Sequence, residues 1–171
     1  MRMIRNIACL ALVLSCLFLT VACSKSEDEI AEAGKNGGVA FYVEYNGAKI
    51  TMGEDADKII DALGEAQDRR EIGDCGGLGA QVRYSYPSLE IYVLESKTDG
   101  NVIDQITFRD DLVTTPEGAC IGMSVEDATE LLGTPSVQND KSIEYQKSNF
   151  VLKLGILDGV ITEIDYITVA E

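Results

Sequence analysis

The sequence predicts an α+β fold in which a helix followed by a three-stranded antiparallel meander occurs twice, with a β-hairpin in front. Three observations predict it. Two segments, 53–64 and 122–133, each begin and end with Gly and carry apolar residues at helical spacing. Each is followed by three stretches of alternating polarity, which is typical of strands with one buried face. The same elements recur in the same order, which indicates a tandem duplication.

The first predicted element is a β-hairpin. Residues 40–45 alternate in polarity, and residues 48–52 return after Asn46-Gly47. This dipeptide is a strong signal for the type I′ turn that joins two antiparallel strands. We therefore expect a hairpin directly before the first helix.

Both predicted helices carry signals at their ends. Acidic residues in the first turn suit the positive end of the helix dipole. Ser124 followed by Asp127 approximates a capping box, with Asp where Glu or Gln is usual. Gly64 and Gly133 stand where a glycine commonly ends a helix, and Pro135 prevents the second helix from continuing.

Three strands are predicted after each helix. They span 82–84, 89–94 and 102–108 in the first copy (39–117), and 143–145, 150–155 and 160–166 in the second copy (118–171). Turns at 99–101 and 158–159 connect the last two strands of each copy. Alternation assigns these side chains to a core beneath the helices: Val82, Tyr84, Leu89, Ile91, Val93, Ile106 and Phe108, then Ile143, Tyr145, Leu152, Leu154, Val160, Ile164 and Tyr166.

The N-terminus has the composition of an export signal. Two arginines precede an apolar stretch of 15 residues, which is shorter than the roughly 20 residues that a membrane-spanning helix needs. The segment Leu19–Cys23 resembles a bacterial lipobox, in which the cysteine thiol receives a diacylglyceryl group before cleavage. We therefore expect residues 1–22 to be a lipoprotein signal peptide and Cys23 to be the lipidation site. A plain signal peptide with an incidental cysteine is the alternative.

The remainder of the chain is strongly acidic. Residues 23–38 are polar and contain Gly37-Gly38, which is typical of a flexible tether, and residues 39–171 form the predicted globular domain. Beyond residue 22 the chain has 12 basic and 29 acidic residues, a net charge of −17. Such a charge disfavours nucleic-acid binding and repels an anionic membrane surface. We expect no nucleic-acid partner and a membrane association that depends on the lipid anchor.

Residues that commonly carry catalysis are scarce. The chain has no His, which excludes Ser-His-Asp and Cys-His pairs and His-ligated metals. Asp55, Asp57 and Asp61 lack the Gly-centred loop that wraps a calcium ion. The Gly-rich run at 75–79 lacks the Lys and Ser/Thr of a phosphate-binding loop. The sequence therefore predicts no catalytic residue, no metal and no cofactor.

The cysteines suggest one disulfide. Two of the five cysteines leave with the signal peptide, and Cys23 would be acylated, so Cys75 and Cys120 remain in an oxidising compartment. A bridge closing about 45 residues would stabilise the fold by about 4 kcal/mol. Two separate thiols are the alternative.

The faces of the meanders opposite the helices are candidates for binding a partner. Alternation places on them Arg83, Ser85, Glu90 and Tyr92 in the first copy, and Val151, Lys153, Ile161 and Ile167 in the second. Tyr and Arg often anchor interfaces, and exposed branched apolar side chains are otherwise a liability. Arg83, Tyr92 and Lys153 are the leading candidates for contact with a protein partner. The alternative is that this face packs against the second copy of the repeat (118–171) or against the hairpin.

Several short motifs together are similar to those of a family of uncharacterised exported lipoproteins of Gram-positive bacteria. They are the run from Gly47 to Leu63-Gly64, Asp74-Cys75, Tyr84-Ser85-Tyr86-Pro87, Leu89-Glu90-Ile91-Tyr92, Thr115-Pro116-Glu117-Gly118 and Ile121-Gly122. This resemblance covers most of the chain after the signal peptide and implies location and fold, without an enzymatic activity. More loosely, the tandem units resemble the β-lactamase-inhibitor-protein-like fold, whose members bind proteins through the exposed sheet face.

These observations predict a non-enzymatic, lipid-anchored interaction module outside the cytoplasmic membrane. A small-ligand or cation-binding cell-surface lipoprotein is the alternative, which a concave apolar pocket would favour. A hydrolase is a third possibility, which clustered buried carboxylates would favour.

Overall fold

The computed structural model describes residues 40–74, 79–96, 98 and 100–169, all within the unit Ala33–Glu171. The fold is α+β, mostly antiparallel sheet with two helices. In chain order the elements are β1 (Tyr42–Tyr45), β2 (Ala48–Thr51), α1 (Ala56–Leu63), β3 (Asp68–Asp74), β4 (Gly79–Ser85), β5 (Leu89–Ser96), β6 (Asn101–Phe108), α2 (Val125–Leu132), β7 (Val137–Gln138), β8 (Ser142–Lys147), β9 (Phe150–Leu157) and β10 (Val160–Thr168). The expected signal peptide, tether and lipidation site lie outside the described residues.

Eight of the strands form one antiparallel sheet, in the order β3-β4-β5-β6-β10-β9-β8-β7, and β1 and β2 form a separate hairpin. We call α1 with β3–β6 the first half and α2 with β7–β10 the second half. The halves meet where β6 pairs with β10, and Thr107 lies opposite Asp165 there. The strand order of one half is therefore the reverse of the other across this central pair.

Two strands, β3 and β7, are absent from the sequence prediction. They are the outermost strands of the described sheet, so among the described residues each has a neighbouring strand on one side only. Strand β3 reads DRREIGD, whose charges hide any alternation of polarity, and β7 has only two residues. Charged residues and short length are the usual protection of sheet edges against further pairing. Each helix is thus followed by four strands rather than three.

The predicted helix ends are confirmed. Asp55 caps α1 by accepting the Asp57 N–H, and the Ser124 hydroxyl oxygen caps α2 by accepting the Asp127 N–H at 3.1 Å. Gly133 follows α2 with φ 81° and ψ −154°, a backbone conformation open to glycine and strained for other residues. The chain therefore turns sharply from helix to strand at this glycine.

A tyrosine hydroxyl ties each helix end to the sheet. Tyr86 donates to the Gly64 carbonyl at 3.4 Å, and Tyr145 donates to the Gly133 carbonyl at 3.2 Å. The predicted strands 82–84 and 143–145 of the two repeats instead pair Tyr84 with Tyr145. Tyr84 accepts a hydrogen bond from the Arg69 Nε, and it is half-buried at the margin of the core, against which it packs.

The start of each helix is also bonded to the sheet. The Gly53 N–H donates to the Ile103 carbonyl at 2.8 Å, and the Gly122 N–H donates to the Ile161 carbonyl at 2.8 Å. Ile103 and Ile161 lie near the start of the last strand of each half. Helix and last strand are thus joined in the same way in both halves.

The core lies on one face of the sheet, beneath the helices and the hairpin. Ile59 of α1, Ala128 of α2 and Val43 and Ile50 of the hairpin pack there with strand side chains. Most strand residues assigned to the core by alternation are buried. The opposite face, which we call the open face, is not covered by α1, α2 or the hairpin.

The alternation fails at the start of β10. Val160 was expected in the core and is 36% exposed, whereas Ile161 was expected on the open face and is fully buried. The pairing register with β9 shifts between Ile161 and Glu163, which marks a β-bulge. A bulge adds one residue to a strand and thereby reverses the faces of the residues before it.

Candidate functional site

The open face presents two rows of side chains that cross the sheet from edge to edge. The central row contains, one per strand, Asp68, Ser85, Glu90, Thr107, Asp165, Lys153, Glu144 and Val137. The second row contains Arg70, Arg83, Tyr92, Gln105, Ile167, Val151 and Gln146. Cross-strand neighbours in such rows are close enough to interact.

Glu90 is the centre of a polar network in the first half. Its carboxylate accepts the Tyr92 hydroxyl at 3.0 Å and the Ser85 hydroxyl at 3.3 Å. Guanidinium nitrogens of Arg83 and Arg109 lie 3.7 and 3.8 Å from the same carboxylate. Two cations therefore share one acid, at distances longer than a direct charge-assisted hydrogen bond.

Arg83 connects this network to the sheet edge. Its Nη2 donates to Asp68 at 3.1 Å, and this hydrogen bond raises the pKa of the guanidinium. Arg70 is directly opposite Arg83 and lies 3.8 Å from the same Asp68 carboxylate. The Nε of Arg83 is buried and has no partner among the described residues. Guanidinium donors thus outnumber carboxylate acceptors at this edge.

Tyr92 lies beside Arg83 and is half-buried. Burial raises the pKa of its phenol, and the hydrogen bond to Glu90 raises it further. The hydroxyl is thus held protonated as a donor to Glu90. The ring is fixed in position by a polar contact at its tip, as is common for tyrosines at interfaces.

Asp165 carries the only buried carboxylate among the described residues, at 5% exposure. The Thr107 hydroxyl donates to it at 2.6 Å across the junction of the two halves. Burial raises the pKa of this carboxyl, the neighbouring Glu163 raises it further, and the Thr107 bond acts in the opposite direction. A single buried carboxyl next to an exposed Glu163 is not the buried cluster expected of a hydrolase.

Lys153 stands between Asp165 and Glu144 in the central row. Within the described part of the chain, its ammonium forms no ion pair with either of these carboxylates. It is half-buried. Lys153 is thus a cation on the open face whose charge is not matched at salt-bridge distance within the described chain.

The predicted candidates fall in two places on the open face. Arg83 and Tyr92 are cross-strand neighbours, and Lys153 lies three strands away from Tyr92. Ile161 is not on this face because of the bulge, and Ser85 is 4% exposed. Sequence reasoning missed Thr107 and Asp165. They occupy equivalent positions of the two predicted repeats, 58 residues apart, and this offset was the signal that could have paired them.

Other candidate sites were weighed against the structure. A groove of about 590 Å³ beside α2 is open to solvent rather than enclosed, and it is lined by Ser124, Val125, Glu126, Thr129, Glu130, Gln138 and Gly159. Three or more His, Cys, Asp or Glu side chains do not converge on a metal position in the described ranges. Cys120 is half-buried before α2, and Cys75 lies outside the described residues, so their disulfide stays a prediction.

Comparison with known proteins identifies no relative. No family model, no curated protein and no solved structure matches this chain. In the described part of the chain, neither helix is long and apolar enough to cross a membrane.

Proposed function

We propose that this protein is a non-enzymatic interaction module, anchored by a lipid on Cys23 outside the cytoplasmic membrane, that binds a protein through the open face. The basic and apolar N-terminus and the lipobox-like segment support the anchor. The resemblance to exported lipoproteins supports the same location. The observation that carries the binding role is the open face itself, which spans eight strands and, within the described residues, is not covered by α1, α2 or the hairpin.

The size of the open face supports a protein ligand. Seven strands of six to nine residues, about 4.8 Å apart, give a face about 34 Å wide and about 20–30 Å tall. The area is roughly 800 Å², which is close to the contribution of one partner to a standard protein interface. A small ligand would need a deeper cavity.

The chemistry of the open face supports binding rather than catalysis. Tyr92 and Arg83 belong to the residue types that most often anchor interfaces. Their polar groups are engaged with Glu90 and Asp68, which fixes them in position. Val151 and Ile167 add half-buried apolar surface in the same row. A mixture of fixed polar groups and apolar area is typical of recognition surfaces.

We also propose that the two halves descend from one duplicated helix-and-meander unit. Two pairs of equivalent hydrogen bonds support this origin: those of the tyrosines to the helix ends, and those that join the helix starts to Ile103 and Ile161. The strand order of the two halves, which is mirrored about the central pair, is a third similarity. Register shifts in the last strand pairs of both halves add a fourth. Under this proposal Thr107 and Asp165 are equivalent positions that now face each other.

Site-specific photo-crosslinking in intact cells tests the binding role. A benzophenone-bearing residue replaces Val151 on the open face, and in a matched protein it replaces Lys58, which is exposed on α1. We expect a discrete protein adduct from position 151 and none from position 58. Tyr92→Ala combined with Lys153→Glu should lower the yield at position 151 several-fold, because both side chains would contact the partner.

Two controls accompany this experiment. The melting temperature of the double variant should stay within a few degrees of the unsubstituted protein, since Tyr92 and Lys153 lie outside the core. Cys23→Ser should release the protein from the membrane fraction. Equal adducts from positions 58 and 151, or none from either, would count against a binding face.

A further inference from the structure

We propose that the partner of the open face is a second copy of this chain, bound face to face about a two-fold axis parallel to β6 and β10. This inference rests on the proposed function, because it requires that the open face binds a protein. It is carried by the distribution of charge and apolar surface along the two rows.

The strand order determines which strands would meet. A rotation of 180° about an axis running between β6 and β10 exchanges the two halves of the sheet. Strand β6 of one copy then faces β10 of the other, β5 faces β9, and β4 faces β8. Each contact occurs twice, as in any symmetric dimer interface.

The central row contains one pair of opposite charges that face each other under this rotation. Glu90 and Lys153 lie equally far from the axis, each one strand away from the central pair. Glu90 of one copy therefore faces Lys153 of the other, which gives the lysine a carboxylate partner that it lacks among the described residues of its own chain. Thr107 of one copy faces Asp165 of the other, so the two Thr107–Asp165 hydrogen bonds, each within its own chain, lie against each other beside the axis.

The neighbouring positions match in the same way. Arg109 lies two residues beyond Thr107, and Glu163 lies two residues before Asp165 on the antiparallel strand, so they stand at one level along the axis. Arg109 of one copy then faces Glu163 of the other. In the second row, Tyr92 faces Val151, an aromatic ring against a branched apolar side chain. Two charge pairs and one aromatic–aliphatic pair, each occurring twice, are thus complementary, whereas Gln105 faces Ile167 and Asp68 faces Val137.

The area of the open face and the net charge of the chain determine the affinity expected for the dimer. About 800 Å² per copy is enough for a specific dimer, with the two sheets about 10 Å apart. The net charge of −17 opposes association in dilute solution. Confinement of two anchored copies to one membrane raises their effective concentration and favours the contact.

The geometry is compatible with two anchors in one membrane. The described domain begins at Ala40, and the ring of the next residue, Phe41, lies 4.4 Å from the Lys147 ammonium and 5.4 Å from the Tyr166 ring. The chain therefore enters at the end of the sheet that holds the β8–β9 turn. A rotation about an axis parallel to the strands leaves this end on the same side in both copies.

A charge-exchange experiment tests the dimer. Two copies with different affinity tags are co-expressed with their lipid anchors, and recovery of one tag with the other is measured after gentle solubilisation. Glu90→Lys in both copies places lysine against lysine, and Lys153→Glu in both places glutamate against glutamate. We expect each change to lower the recovery about tenfold, because like charges would face each other at both contacts.

The decisive arm combines the two variants, one in each copy. Every contact then joins a lysine with a glutamate again, so the recovery should return to that of the unsubstituted pair. Lys58→Glu, on the opposite side of the domain, should leave it unchanged. Failure of the combined pair to recover, with both proteins folded by melting temperature, overturns the dimer.

A second pair protects the test against misfolding. If Glu90→Lys unfolds the protein, Arg109→Glu and Glu163→Arg provide the same exchange at another contact.

The photo-crosslink from Val151 separates the proposed binding role from the proposed dimer. An adduct with twice the mass of the chain, mapped to the region of Tyr92, supports the dimer. An adduct with a different protein overturns it and leaves the binding role intact, whereas the absence of adducts contradicts both.

Discussion

Asp165 places a carboxyl group away from water at the junction of the two halves. Its principal hydrogen-bond donor is the neutral Thr107 hydroxyl, and Glu163 stands two residues along the same strand. Lys153 is adjacent across the strand pair without forming an ion pair. Glu90 and Glu144 lie farther along the row. The charged form of Asp165 is therefore poorly solvated, and folding raises the pKa of this carboxyl.

This arrangement predicts that Asp165 makes the fold less stable as the pH rises. Its pKa in the folded state is raised above 3.8, so the unfolded chain loses this proton at lower pH than the folded chain. The stabilising contribution is full below the unfolded pKa and is lost as pH rises through the folded pKa. Asp165→Asn should therefore raise the melting temperature at pH 7 and have little effect near pH 3.5.

The measurement is a series of thermal unfolding curves between pH 3.5 and 8 for Asp165→Asn. Asp140→Asn, at an exposed turn, is the matched control and should shift the melting temperature by the same small amount at every pH. A destabilised Asp165→Asn protein at pH 7 would contradict the prediction. It would mean that the carboxylate is stabilised as an ion in the fold.

Single residues also show how much of the open face is predictable. Arg83 and Tyr92 follow from strict alternation in a regular strand, and both are where the pattern puts them. Asp165 was not singled out, because an acidic residue in an acidic sequence gives no signal of burial. Its environment depends on β6, a strand that is distant in sequence. Local patterns cannot specify such a neighbour.

At the scale of elements, the predicted turns at 46–47 and 158–159 and the predicted helix caps are accurate because their residues have few alternatives. Residue 99 of the turn predicted at 99–101 lies outside the described residues. Asn46-Gly47 and Asp158-Gly159 both adopt positive φ, as type I′ turns require. The edge strand β3 was missed because its sequence is dominated by charge, and β7 because two residues carry no pattern. Turns and helix caps can therefore be predicted from the sequence, whereas the pairing of strands at a sheet edge cannot.

The bulge in β10 gives a prediction with an internal control. Ile161 is fully buried, and its neighbour Val160 is 36% exposed. Ile161→Ala should reduce the free energy of unfolding by about 2–5 kcal/mol, since it leaves a cavity in the core. Val160→Ala should change it by no more than about 0.5 kcal/mol. Equilibrium unfolding in urea measures both.

The opposite result has a definite meaning for this strand. If Val160→Ala destabilises the protein more than Ile161→Ala, the alternation is regular and the bulge is misplaced. The open face would then include Ile161, as the sequence alone predicts. The slope of the unfolding curve should stay constant in both variants, since neither changes the surface exposed on unfolding.

For the molecule as a whole, the sequence predicts the class of fold and the presence of two similar halves, but not how they combine. Nothing local marks β6 and β10 as partners, because both are ordinary half-buried strands. Their pairing turns two small meanders into one sheet of eight strands and creates one open face instead of two. The size of that face, on which the proposed function depends, is therefore a property of the assembled domain.

The central strand pair also determines how the domain gains its structure. In the described sheet, every other strand pair joins neighbours in sequence, and only β6 and β10 are far apart along the chain. Contacts of high sequence separation have the larger loop-closure cost and form late. We expect pulse-labelled hydrogen exchange during refolding to protect the β4–β5 and β8–β9 amides before those shared by β6 and β10. Simultaneous protection of all these amides would instead mean that the two halves do not fold independently of each other.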